Sequence, residues 1–104
     1  MQEQVRRVRI DPAITDYIVR VVGFTRGDPR LRLGVSPRGS LSLYRTAQAQ
    51  ALMQGRDYVT PDDIRALAIP VLAHRIVPDT KAKYAGQRND QVIQEAMEKT
   101  PVPR

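Results

Sequence analysis

The chain has 104 residues, 41% of them hydrophobic, which suggests one domain with a core of its own and excludes disorder throughout. With no cysteine and a single histidine, disulfides and thiolate metal sites are excluded and a protein-only metal site is not expected. A formal charge of +6 invites a polyanionic partner: nucleic acid, an acidic membrane surface, or the phosphates of a nucleotide.

The first ten residues, "MQEQVRRVRI", lack the apolar core of a signal peptide and carry a basic run, Arg6, Arg7 and Arg9. A helix is then predicted from Pro12 to about Thr25. Asp11 is its cap, proline opens it, and Ala13, Ile14, Tyr17, Ile18, Val21 and Val22 form its apolar stripe. "RGDPR" follows as a loop. In "LRLGV", Leu31, Leu33 and Val35 alternate with Arg32 and Gly34, the period of a short extended segment.

Ser36-Pro37 opens the second helix, which should run to about Gln54 and stop at Gly55. Leu41, Tyr44, Ala47, Gln48, Ala51 and Leu52 form one broad face. Tyr58 and Val59 are expected to pair with residues 33–35 as a tiny two-stranded patch. Thr60-Pro61 opens a third helix, with Asp62 and Asp63 in its first turn, where carboxylates suit the dipole. Ile64, Leu67, Ala68, Val71 and Leu72 follow helical spacing, and Pro70 should kink or split the helix. "IVPDTKAKYAGQRND" reads as a surface connection. A last helix from about Asn89 to Lys99 carries Val92, Ile93, Ala96 and Met97, and "TPVPR" is an extended tail. The fold class is therefore all-α: a bundle of four to five helices with at most a trace of sheet. No stretch approaches 18 consecutive apolar residues, so no membrane span is expected.

One residue is out of place on local grounds. Arg38 falls in the first turn of the second helix, at the positive end of the dipole, where a cation is disfavoured by roughly 0.3–1 kcal/mol. The same helix start, with its free N–H groups, is an anion site. An arginine there could donate two parallel charge-assisted hydrogen bonds to a phosphate. Gly39, without a side chain, would leave a ligand room to approach.

The segments "GVSPRGSLSLYR" and "GRDYVTPDDI" resemble the C-terminal lid of the MoxR family of AAA+ ATPases. The upstream "VRIDPAITDYIVRVVGFTR" resembles that lid's first helix, so the likeness runs from about Val8 to Pro103. The resemblance implies a helical lid over residues 11–99, a linker from an ATPase core over residues 1–10, and a tail over residues 100–104. It implies that Arg38 is the sensor 2 arginine, reaching the γ-phosphate of ATP at the core–lid junction. Gly34, Ser36, Pro37 and Arg38 are then the nucleotide-facing residues. Ser36 and Pro37 read first as cap and helix start. Gly34 reads as a tight turn, with a place near the adenine or ribose as the alternative. Where the family often has alanine, this chain has Gly39, a minor departure.

The chain carries no phosphate-binding loop and no acidic strand end for magnesium. The resemblance thus implies that ATP and Mg2+ sit on a core domain of the same chain, that this segment alone is no enzyme, and that the parent hydrolyses ATP. It further implies neighbouring subunits in a hexameric ring, chaperone-like activation of partner proteins, some bearing von Willebrand factor A domains, and a cytoplasmic location. Two other readings stay open on the residues alone: a small basic nucleic-acid-binding module, disfavoured by the small apolar residues of the second helix, and an interaction-only adaptor. His74 and Arg75 suit a helix C-terminus or an intersubunit contact, and Asp57 could pair with an arginine.

Overall fold

The structure, a computed structural model, describes residues 7–103. Arg6, the greater part of the expected 1–10 linker and residue 104 of the tail lie outside the described residues. In chain order the elements are α1 (Pro12–Arg26), β1 (Leu31–Leu33), α2 (Pro37–Met53), α3 (Pro61–Leu72), a 3-10 turn (Ala73–Arg75), β2 (Val77–Pro78), α4 (Thr80–Tyr84) and α5 (Asn89–Lys99). The all-α class with a trace of sheet holds.

The three expected cap-and-proline starts all form. The Asp11 side chain accepts from the Ala13 N–H at 2.8 Å, and Ser36 and Thr60 cap α2 and α3. Helix α2 ends where Gly55 allows it. With φ at 76°, Gly55 donates to the Leu52 carbonyl at 3.0 Å, and the Arg56 N–H closes back on Ala51 at 2.9 Å. This is a Schellman end, and a side chain at Gly55 would be strained.

Helix α2 packs on α3, and α1 packs on α5, around one core. Its largest buried side chains are Tyr17, Leu43, Ile64, Leu72 and Ile93. Val8, just ahead of α1, is also buried, and its carbonyl accepts from Gln48 Nε2 at 2.8 Å.

Five sequence expectations need correction. Residues 33–35 do not pair with Tyr58 and Val59. Leu31–Leu33 pairs antiparallel with Val77–Pro78, while Tyr58 bridges Arg9. The stretch after Val77 is accordingly more than a surface connection, since it holds β2 and the short helix α4. On α2, Leu41 is 54% exposed, and the core position is taken by Leu43 at 0%. On α1, Ala13 is exposed, and Thr25 completes the buried stripe instead. Pro70 does not split α3. It lies in the last turn, so the one hydrogen bond it removes is lost near the end, and the chain tightens into the 3-10 turn three residues later.

Candidate functional site

The start of α2 is set by α1. Thr25 Oγ1 donates to the Val22 carbonyl at 2.7 Å and accepts from the Val35 N–H at 3.0 Å. Arg26 Nε donates to the Val35 carbonyl at 3.2 Å. Both polar backbone groups of Val35 are thus held by consecutive residues in the last turn of α1. Gly34 permits this approach. A Cβ on Gly34 would stand 2.8 Å from the Arg26 nitrogen and 2.9 Å from the Arg26 Cα and the Thr25 carbonyl carbon. Its clearance serves α1.

Val35 is buried, and the next three residues emerge at the surface. Ser36 is in extended geometry, and its hydroxyl accepts from the Gly39 N–H at 3.4 Å, long for such a bond. Pro37 supplies the first helical residue without an orphan N–H. Arg38 is exposed, and among the described residues its guanidinium has neither a carboxylate partner nor a hydrogen bond. No acidic residue lies in this first turn. The structure therefore brings Ser36, Pro37 and Arg38 together at one exposed helix start and places Gly34 behind them, against α1.

Gly39 does not provide clearance for a ligand, as its position in the sequence suggested. It is buried, and a Cβ there would meet Val35 Cγ1 at 2.6 Å and Arg75 Cδ at 3.3 Å. Its open space is filled from within the fold. An alanine here would require Val35 to give way.

Arg38 borders a groove of about 670 Å³ between α2 and the end of α3. Leu41, Ser42, Arg45 and Thr46 line it from α2, and Pro70, Val71, His74 and Arg75 from the opposite wall. Leu41, misplaced in the core by its spacing, thus faces this groove. Sequence reasoning noted His74 and Arg75 but could not bring them to Arg38, because the signal is a contact between residues more than thirty positions apart. Asn89 fixes their turn: its Nδ2 donates to the carbonyls of Ala73 at 2.8 Å and Ile76 at 3.3 Å.

Several charges elsewhere are matched. Arg56 holds Asp63 through Nη1–Oδ2 and Nη2–Oδ1 at 2.9 and 2.8 Å, while Asp63 also accepts from the Thr60 N–H at 2.8 Å. Burial pushes the Asp63 carboxyl up, but the hydrogen bonds from Arg56 and Thr60 together hold it below the usual carboxylate range. Arg30 grips Asp28 and reaches Glu95 of α5 at 2.7 Å. Its side-chain hydrogen bond holds the Asp28 carboxyl low, and the two carboxylates hold Arg30 firmly protonated. Asp57 does pair with an arginine, but loosely: Arg9 at 3.7 Å, with both side chains exposed. Among the described residues no group of three or more His, Asp or Glu side chains could hold a metal ion, and no helix is long and apolar enough to cross a membrane.

The profile of the AAA lid domain family matches residues 23–96, from the last turn of α1 through most of α5, and includes the whole groove. The chain belongs to the AAA lid domain family. This lid is 46% identical over 103 residues to the uncharacterized protein YeaC of Bacillus subtilis (strain 168), covering 99% of the lid and 32% of the relative. It is 38% identical over 86 residues to the chaperone MoxR1 of Mycobacterium tuberculosis, covering 74% of the lid and 23% of that protein. The crystal structure of a provisionally assigned ATPase from Cytophaga hutchinsonii superposes with a TM-score of 0.91 at 29% identity, over 98% of the lid and 34% of that chain. The lid thus spans about a third or less of the length of these relatives. Together they make it a lid domain of the MoxR family of AAA+ ATPases.

Proposed function

We propose that this AAA lid domain is the sensor 2 lid of a MoxR-type ATPase, closing over ATP held with Mg2+ by a core domain of the same chain. The observation that carries the reading is Arg38: exposed, in the first turn of α2, and without a carboxylate partner among the described residues. Its guanidinium can donate two parallel hydrogen bonds to phosphate oxygens. Ser36 and Pro37 set the helix start that carries it, and Gly34 lets α1 seat that start. ATP, when bound, supplies the phosphoryl group whose spreading negative charge Arg38 would stabilise. None of the groove's lining residues is acidic, so the groove fits the phosphate end of a nucleotide, whereas the magnesium ligands belong to the core.

In the parent, the lid's motion against the core would couple hydrolysis to chaperone-like remodelling of partner proteins. MoxR1, a relative named as a chaperone, supports that reading. Neighbouring subunits of a hexameric ring, partners with von Willebrand factor A domains and a cytoplasmic location complete the proposal. A nucleic-acid reader is less well supported, because Ala47, Gln48 and Ala51 of α2 are buried rather than presented.

The test is Arg38→Ala in the full-length protein. ATP hydrolysis should fall by about 10²-fold or more, with the thermal unfolding midpoint unchanged. Hydrolysis at the parent rate would remove Arg38 from this role.

A further inference from the structure

The groove beside Arg38 holds more positive charge than one sensor arginine accounts for. Arg38, Arg45 and Arg75 all line it, with His74, and no carboxylate does. Among the described residues none of these three arginines has a carboxylate partner; Arg26, Arg32 and Arg65 also lack one, but they are scattered over α1, β1 and α3, whereas the groove gathers three along one surface. Arg45 is held in place by a hydrogen bond to Gln48 Oε1 at 3.1 Å and lies over the Tyr44 ring.

Arg75 is the informative member. It sits in the 3-10 turn at the C-terminal end of α3, where a cation is favoured by the dipole. That alone would explain its presence, but not its course. Its Cδ lies 3.3 Å from where a Cβ on Gly39 would be, so its aliphatic stem crosses the first turn of α2. Its stem thereby lies against the positive end of a second helix, and it lines the same groove as Arg38, a surrounding in which a cation is disfavoured unless an anion is present. Gly39 leaves room for this stem beside Val35, which stands nearer still. Asn89 ties down the carbonyls on either side of the turn, so the arrangement is anchored.

We infer that Arg75 is a second phosphate-contacting residue, and that Arg38 and Arg75 together form a composite site for the polyphosphate chain of a nucleotide. This rests on the reading that nucleotide is held at the lid–core junction. It adds the opposite wall of the groove to a site that sequence motifs confine to α2. Arg38 comes from the start of α2 and Arg75 from the turn that ends α3.

The experiment measures binding of a non-hydrolysable ATP analogue to the full-length protein by titration calorimetry. Arg75→Met keeps the aliphatic stem over Gly39 and removes the charge. Arg75→Gln is a second uncharged variant, and Arg75→Lys keeps the charge. The two uncharged variants should bind the analogue about tenfold or more weakly at an unchanged unfolding midpoint, with Arg75→Lys recovering part of the loss. Parent-like affinity in both uncharged variants would overturn the inference. So would a lowered kcat at unchanged affinity, which would mark Arg75 as a contact to a carboxylate of the core. The two readings fail separately. Parent-like hydrolysis in Arg38→Ala removes the sensor role and leaves the Arg75 binding loss to be judged on its own. Parent-like affinity in Arg75→Met with hydrolysis lost in Arg38→Ala removes only the second contact.

Discussion

Helices α2 and α3 open on the same local pattern, a hydroxyl cap followed by proline, and then diverge within one turn. At α3 the third helical residue is Asp63, which accepts from the Thr60 N–H while the Thr60 hydroxyl accepts from the Asp63 N–H at 3.3 Å. This reciprocal capping box is closed further by Arg56, and the carboxylate is buried. At α2 the third residue is Gly39, which can return no such bond, and the second is a cation. The α3 start satisfies itself. The α2 start is fastened from behind by α1 and left open in front. The difference separates a helix start that serves the fold from one available to a ligand.

Four substitutions or conditions would break or sharpen that contrast. The largest effect is expected at Gly34→Ala, whose new methyl would press on α1 backbone that cannot rotate away. A loss of about 3 kcal/mol in denaturant unfolding is expected, and a loss below about 0.5 kcal/mol would mean that α1 does not set the α2 start. Asp63→Ala should cost about 2 kcal/mol, combining a lost cap with the lost partner of Arg56. A cost no larger than that of Ser36→Ala would erase the distinction between the two starts.

Acid should weaken the start of α3. The folded-state pKa of Asp63 lies below the ordinary aspartate value of 3.8. Its contribution to stability is therefore present above that value and is lost as pH falls below it, through the depressed folded value. Asp28, held low by Arg30, acts with the same sign. Unfolding midpoints followed from pH 6 to pH 2 should drop in the acid range, and Asp63→Asn should flatten part of the drop. A pH profile that Asp63→Asn leaves unaltered would show that the Arg56–Asp63 pair is not the sensitive element. The smallest effect is expected at Ser36→Ala, about 0.5 kcal/mol, because the 3.4 Å cap bond is weak. A cost near 2 kcal/mol would make Ser36 a full structural cap.

Much of this architecture was legible in the chain. Caps, prolines and apolar spacing place α1, α2, α3 and α5 to within a residue or two, because each signal acts over one or two turns. The position of Arg38 at a helix start, its central chemical property, follows from Ser36-Pro37 alone. The Arg56–Asp63 pair was half visible: Asp63 read correctly as a first-turn carboxylate, but nothing local pointed it at Arg56.

What the sequence could not decide was every pairing across distance. Two short apolar stretches, Tyr58–Val59 and Val77–Pro78, were equally able to extend beside Leu31–Leu33. The choice of Val77–Pro78 depends on where the end of α3 returns, which no local pattern encodes. Leu41 and Leu43 are the same residue type two positions apart on α2, and only packing against the core made one buried and the other part of the groove. Gly39 read as space for a ligand because packing alone turns the Val35 side chain onto it, and its other neighbour, the stem of Arg75, is 36 residues away in the chain. By itself, then, the sequence determined the helices and set a lone cation at the head of one of them. Tertiary structure decided what stands beside that cation, because a groove has two walls and local interactions specify only one at a time.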